Sequence, residues 1–64
     1  METYRLYQLK ANHILAADTV EAADDGTALR YAQASIMFEA VEVWQGRRMV
    51  GLIANPMPNT PVTG

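Results

Sequence analysis

With 64 residues, half of them apolar, the chain is long enough for one small domain and too apolar for a disordered one. It has no cysteine, which excludes a disulfide framework and a thiolate zinc site. The lone His13 cannot build a histidine-based metal site within one chain, so oligomerisation is the support left for so small a core. A net charge of −2 argues against a generic nucleic-acid binder, whose affinity comes from Lys and Arg on phosphates, and no run approaches the ~20 apolar residues of a membrane span.

The N-terminus goes directly into strand-like alternation, so it does not read as a signal peptide, and the expected location is the cytoplasm. Residues 4 to 10, YRLYQLK, are rich in Tyr and Leu and predict a first strand. Asn12 suits a left-handed turn position. Residues 14 to 22, ILAADTVEA, then predict a second strand returning beside the first, with Asp18 expected at a bulge or where the strand leaves the sheet.

Asp24 and Asp25 stand before Thr27-Ala28-Leu29 as helix-start residues. A carboxylate there caps free N–H groups and suits the positive end of the helix dipole. Ala28, Leu29, Ala32 and Ile36 share one side at 3.6 residues per turn, opposite Arg30, Ala34 and Met37. A mostly alanine stripe lets the helix sit close to a sheet. No glycine follows it, and the helix is expected to stop near Met37 to Phe38.

Residues 41 to 53, VEVWQGRRMVGLI, predict a third and a fourth strand. A tight turn at Gln45-Gly46 and a three-residue loop with Gly46 in a bulge both fit. Residues 55 to 64 contain all three prolines, carry no charge and have no periodicity, so a disordered tail is expected after a domain at 1–54.

The fold expected is α+β, ββαββ: a mostly antiparallel four-stranded sheet with one helix packed on one face. The right-handed crossover rule permits the strand order 2-1-3-4. One helix covers one face only. Val41 and Val43 alternate against Glu42 and Trp44, Val50 and Leu52 against Met49 and Ile53, and Leu6 against Tyr7 and Leu9. The uncovered face is therefore expected to carry Tyr7, Leu9, Trp44, Met49 and Ile53 as an interface. A second copy of the sheet is its simplest cover, and an edge-to-edge strand pairing would serve as well.

The spacing Y-R-L-Y, N-H-I, D-D-x-x-A-L-x-x-A and E-V-W-Q-G-R-R-M-V, over roughly residues 4 to 53, resembles short stand-alone bacterial proteins of unknown function. In those proteins the turn before the His-Ile pair often holds glycine; Asn12 takes that place here. The resemblance implies the domain boundaries and no catalytic residues. A looser likeness, at the level of fold, is to small HicB-type antitoxin domains, which also place strands before a D-x-x-x-A-L-x-x-A helix. Their proline-glycine turn and DNA-binding segment are missing here.

Candidate chemistry is sparse. His13 could act as a base or a pH-sensitive contact, but it has no evident orienting partner, and a local hydrogen bond or solvent accounts for it. Glu21, Asp24 and Asp25 do not follow the carboxylate spacing of a calcium loop, and capping explains both aspartates, so no metal is expected. Arg47 and Arg48, with His13, make a candidate polar contact surface; with Arg5, Lys10 and Tyr7 the arginines could meet RNA or single-stranded DNA. Adjacent strand residues point apart, however, and Arg48 has a plain alternative in stacking or in pairing with Glu42. Ser35 lies mid-helix without a base, and the four glycines form no phosphate loop. No enzyme activity and no cofactor are expected. The reading is a self-associating binding or regulatory module, most simply a homodimer; the alternatives are a nucleic-acid-associated or antitoxin-like accessory protein and a small-molecule site at a dimer seam lined by Trp44 and Tyr7.

Overall fold

The computed structural model describes residues 1–55; residues 56–64, most of the expected tail, lie outside the described residues. Its elements are β1 (Glu2–Lys10), β2 (His13–Ala22), α1 (Asp25–Ala34), β3 (Ala40–Gln45) and β4 (Arg48–Ala54). The four strands form one sheet in the order β2-β1-β3-β4, each antiparallel to its neighbours. This is the ββαββ arrangement, with α1 carrying the chain across β1 from one side of the sheet to the other.

Both hairpins are tight. Lys10 pairs with His13 around Ala11 and Asn12, at φ 52° and 66°. Two consecutive positive φ values match the twist of the flanking strands, and Asn tolerates the position well; Ala does so at a cost. The Ala11 N–H donates to the Glu39 carboxylate at 3.0 Å, and the Glu39 N–H donates to the Leu9 carbonyl, so the residue before β3 holds this turn. The second hairpin pairs Gln45 with Arg48, leaving Gly46 (φ 60°) and Arg47 as a two-residue loop, so the turn centres one residue after the expected Gln45-Gly46 and is not a three-residue loop. Positive φ at the first central position only is what a type II′ turn requires, and glycine supplies it without strain.

Each outer strand carries one extra residue. Gln8 pairs with Ala16 while Leu9 pairs with Ile14, which leaves Leu15 as a bulge in β2. Val43 pairs with Gly51 while Trp44 pairs with Met49, which leaves Val50 as a bulge in β4. Asp18, the expected irregularity, is regularly paired with Leu6 instead.

The core lies between the helix and one sheet face. Tyr4, Leu6, Val41, Val43, Ala22, Ala28 and Ala32 are buried, and Val20, Leu29, Ile36, Val50 and Ile53 pack around them. The fully buried Ala28 and Ala32 let the helix backbone come close to the strands. Over β4 Leu29 lies directly on Gly51, where an added Cβ would lie 2.9 Å from a Leu29 methyl. Asp24 caps the helix, accepting from the Thr27 N–H at 2.8 Å. The helix ends at Ala34, earlier than expected, because the Ser35 N–H closes back on Tyr31 and Ala32 and Gln8 captures the chain beyond it. The buried Gln8 amide donates to the Ser35 carbonyl (3.1 Å) and accepts from the Met37 N–H (3.2 Å). Asn55, expected in the tail, is held: its N–H donates to the Glu39 carbonyl and its side chain to the Phe38 carbonyl, both at 2.8 Å.

Candidate functional site

Strand register determines which residues share the face away from the helix. Arg5 pairs with Trp44, Tyr7 with Glu42 and Leu9 with Ala40 in the centre. Met49 and Leu52 continue these rows on β4, and Ile14 and Ala17 continue them on β2. Tyr7, Leu9, Trp44 and Met49 therefore do share the uncovered face.

Ile53 does not. It pairs with Val41 and packs against the core under the helix. The cause is the Val50 bulge: one inserted residue shifts the alternation, so Met49 and Leu52, three positions apart, come to the same side. Leu52 takes the place expected of Ile53 and is 56% exposed; Ile14 is 58% and Met49 41% exposed. Tyr7, Leu9 and Trp44 are half-buried by their neighbours. The Trp44 indole N–H donates to the Glu42 carboxylate at 3.0 Å, along one strand and on the same face. Arg5 is exposed beside it. The result is an apolar sheet surface with one cation and one anion near its middle.

The expected polar contact surface is not assembled. His13 is exposed at the end of the sheet formed by the β1–β2 turn, whereas Arg47 is exposed in the β3–β4 turn at the opposite end. Arg48 lies on the helix side and makes a bidentate pair with Asp25, both contacts at 2.9 Å, instead of pairing with Glu42 or stacking on an aromatic ring. Its guanidinium also donates to the Gln45 side chain, which in turn donates to Glu2. The buried Tyr4 hydroxyl donates to the same Asp25 carboxylate at 2.7 Å.

These groups rim an open depression of about 470 Å³ at the helix N-terminus. Their titration follows from the contacts. Arg48 first, and the Tyr4 hydroxyl second, hold the Asp25 carboxyl down at about 2. Desolvation first, then Asp25, pushes the Tyr4 phenol up to about 12. Through the Tyr4 hydroxyl and the Arg48 guanidinium, both bonded to the Asp25 carboxylate, these groups clasp the helix N-terminus to the sheet. Among the described residues no cluster of three or more His, Cys, Asp or Glu is placed to hold a metal ion, and no helix is long and apolar enough to cross a membrane.

Sequence reasoning missed Gln8, Leu52 and Ile14. Gln8 was detectable in principle, since it continues the alternation of Tyr4 and Leu6. Leu52 and Ile14 were hidden by the bulges at Val50 and Leu15; Gly51, beside Val50, is the one local signal of the first, and nothing comparable marks the second. The chain matches no family model, and no curated protein or solved structure is significantly similar to it.

Proposed function

We propose that this protein is a small self-associating module, a homodimer without catalytic activity, that acts in the cytoplasm through a surface. The observation that carries this reading is the apolar sheet face opposite the helix, centred on Trp44 and extended by Leu52, Met49 and Ile14. Contiguous apolar surface of this kind usually marks an interface, and a large aromatic residue near its centre is the usual energetic anchor. The clasp at the other side supports a structural and not a chemical role for the titratable groups.

The nucleic-acid reading has less support, because Arg48 is engaged by Asp25 and His13 is far from Arg47. Light scattering over a dilution series tests the proposal. A dimer is expected at high concentration, and Trp44→Ala should shift it to monomer with the helical and sheet circular dichroism retained. A folded monomer at every concentration sinks the reading, and salt-sensitive retention on heparin would revive the alternative.

A further inference from the structure

Of the two face-to-face two-folds aligned with the rows of the uncovered face, along the strands and across them, the first is self-complementary. We infer that two copies of this chain pack sheet against sheet about a two-fold axis parallel to the strands, midway between β1 and β3. This rests on the self-association reading and specifies its geometry.

A two-fold parallel to the strands sets β1 of one protomer on β3 of the other and keeps the rows in line. Leu9 then faces the partner's Ala40, and the outer strands bring Ile14 over the partner's Ala54 and Leu52 over the partner's Ala17, following the rows of the sheet. Leu9, Ile14 and Leu52 each meet an alanine and Met49 meets the partner's Thr19, a large-on-small pairing that lets two layers interdigitate. In the middle, Tyr7 faces the partner's Glu42, and Arg5 faces the partner's Trp44 with the partner's Glu42 one row away. The phenol can donate to the carboxylate, and the guanidinium can lie on the indole face while reaching that carboxylate. The central rows tolerate the rotation of roughly 30° usual between aligned sheets.

The competing two-fold runs across the strands through the Tyr7–Glu42 row. It stacks each strand on its own equivalent, so Glu42 meets Glu42 and Leu9 meets Arg5. Like charges at the centre of a closing interface are costly. Edge-to-edge pairing is disfavoured for a separate reason. Both edge strands, β2 and β4, carry their bulge residues at Leu15 and Val50, which interrupt the row of free N–H and C=O groups that a new strand would need.

Size is compatible. Four strands and three rows give a footprint of about 400 Å² on each copy from strand spacing and rise. Side-chain relief brings the total near the roughly 1,000 Å² at which specific interfaces begin. So small a contact should dissociate within a practical dilution range.

The test is reciprocal charge exchange. Arg5→Glu alone sets two acidic groups together across the interface, and Glu42→Arg alone sets two basic groups together. Each variant should need about tenfold higher concentration than wild type to dimerise. Mixed in equal amounts, the two variants restore opposite charges at both symmetry-related contacts. Native mass spectrometry, which separates the species by mass, should then show the heterodimer in large excess over either homodimer. Circular dichroism of each variant alone checks that its fold is intact. A double variant that fails to fold does not affect the test, because the mixture uses only the single ones.

The outcomes separate cleanly. A wild-type dimer indifferent to both substitutions overturns this arrangement and leaves self-association standing. A response to Glu42→Arg with none to Arg5→Glu means that Arg5 does not face the partner's Glu42 and also overturns it. A wild type that is monomeric throughout, with the face covered by residues 56–64 or kept for another molecule, overturns both the arrangement and the reading beneath it.

Discussion

The two faces of this sheet are made from the same strands and follow opposite rules. Under the helix, Tyr4, Leu6, Gln8, Val41 and Val43 are almost completely buried, and among the described residues no buried side-chain polar atom lacks a partner. Space there is filled to the limit, with alanines at the helix and Gly51 receiving Leu29. On the other face large apolar side chains stand half-exposed, and a polar link joins two residues of the same strand, Trp44 and Glu42. The first face stabilises the fold. The second leaves Ile14, Leu52 and Met49 exposed, and the proposed interface rests on them.

Paired substitutions give the sharpest contrast. Leu6→Ala should cost about 2–5 kcal/mol in urea unfolding, comparable to the whole stability of so small a domain. Leu52→Ala should change monomer stability by no more than about 0.5 kcal/mol while raising the concentration needed for assembly. Equal costs at the two positions would erase the distinction. Next in size is Gln8→Ala, expected to lose about 1–3 kcal/mol because the Ser35 carbonyl and the Met37 N–H lose their partner. Retained stability there would mean that water enters behind the helix end and that the covered face is less closed than its burial indicates.

A smaller effect of opposite sign is expected at the turn between β1 and β2. Ala11→Gly relieves a positive φ and should stabilise by about 0.5–1 kcal/mol, read as a rise in Tm. The smallest effect is in acid. Asp25 titrates near 2 in the folded chain against an ordinary 3.8, so the stabilisation from its ionised form is complete above pH 3.8 and is lost as pH falls toward 2. Arg48→Ala should flatten this slope. A persistent slope would assign it to another carboxylate, with the capping Asp24 the first to examine.

Much of this architecture is legible in the sequence because its signals are local. Ala28, Leu29 and Ala32 of the expected stripe pack from the helix, with Ile36 packing from beyond its end, Asp24 caps where capping chemistry puts it, and Gly46 turns the second hairpin. The strand order 2-1-3-4 follows from one helix crossing over the first strand. What escapes is set by pairing between distant residues. Neither Leu15 nor Val50 is marked as a bulge by its own chemistry, and the neighbouring Gly51 does not say which residue is extra; that one residue moves Ile53 to the core and Leu52 to the surface. Arg48 finds Asp25 across 23 positions, a partner no turn rule or strand rule would nominate ahead of Glu42.

Trp44 gives the molecule an optical consequence. It is the only tryptophan, and it sits outside the core among the residues that would meet a partner. Its emission therefore reports hydration of that surface, while the peptide circular dichroism reports the backbone. Dilution should shift the fluorescence to the red at constant ellipticity, and heating a dilute sample should move the ellipticity with little further change in colour. Trp44 is thus a native label that would separate the proposed assembly from folding without a dye or an added residue.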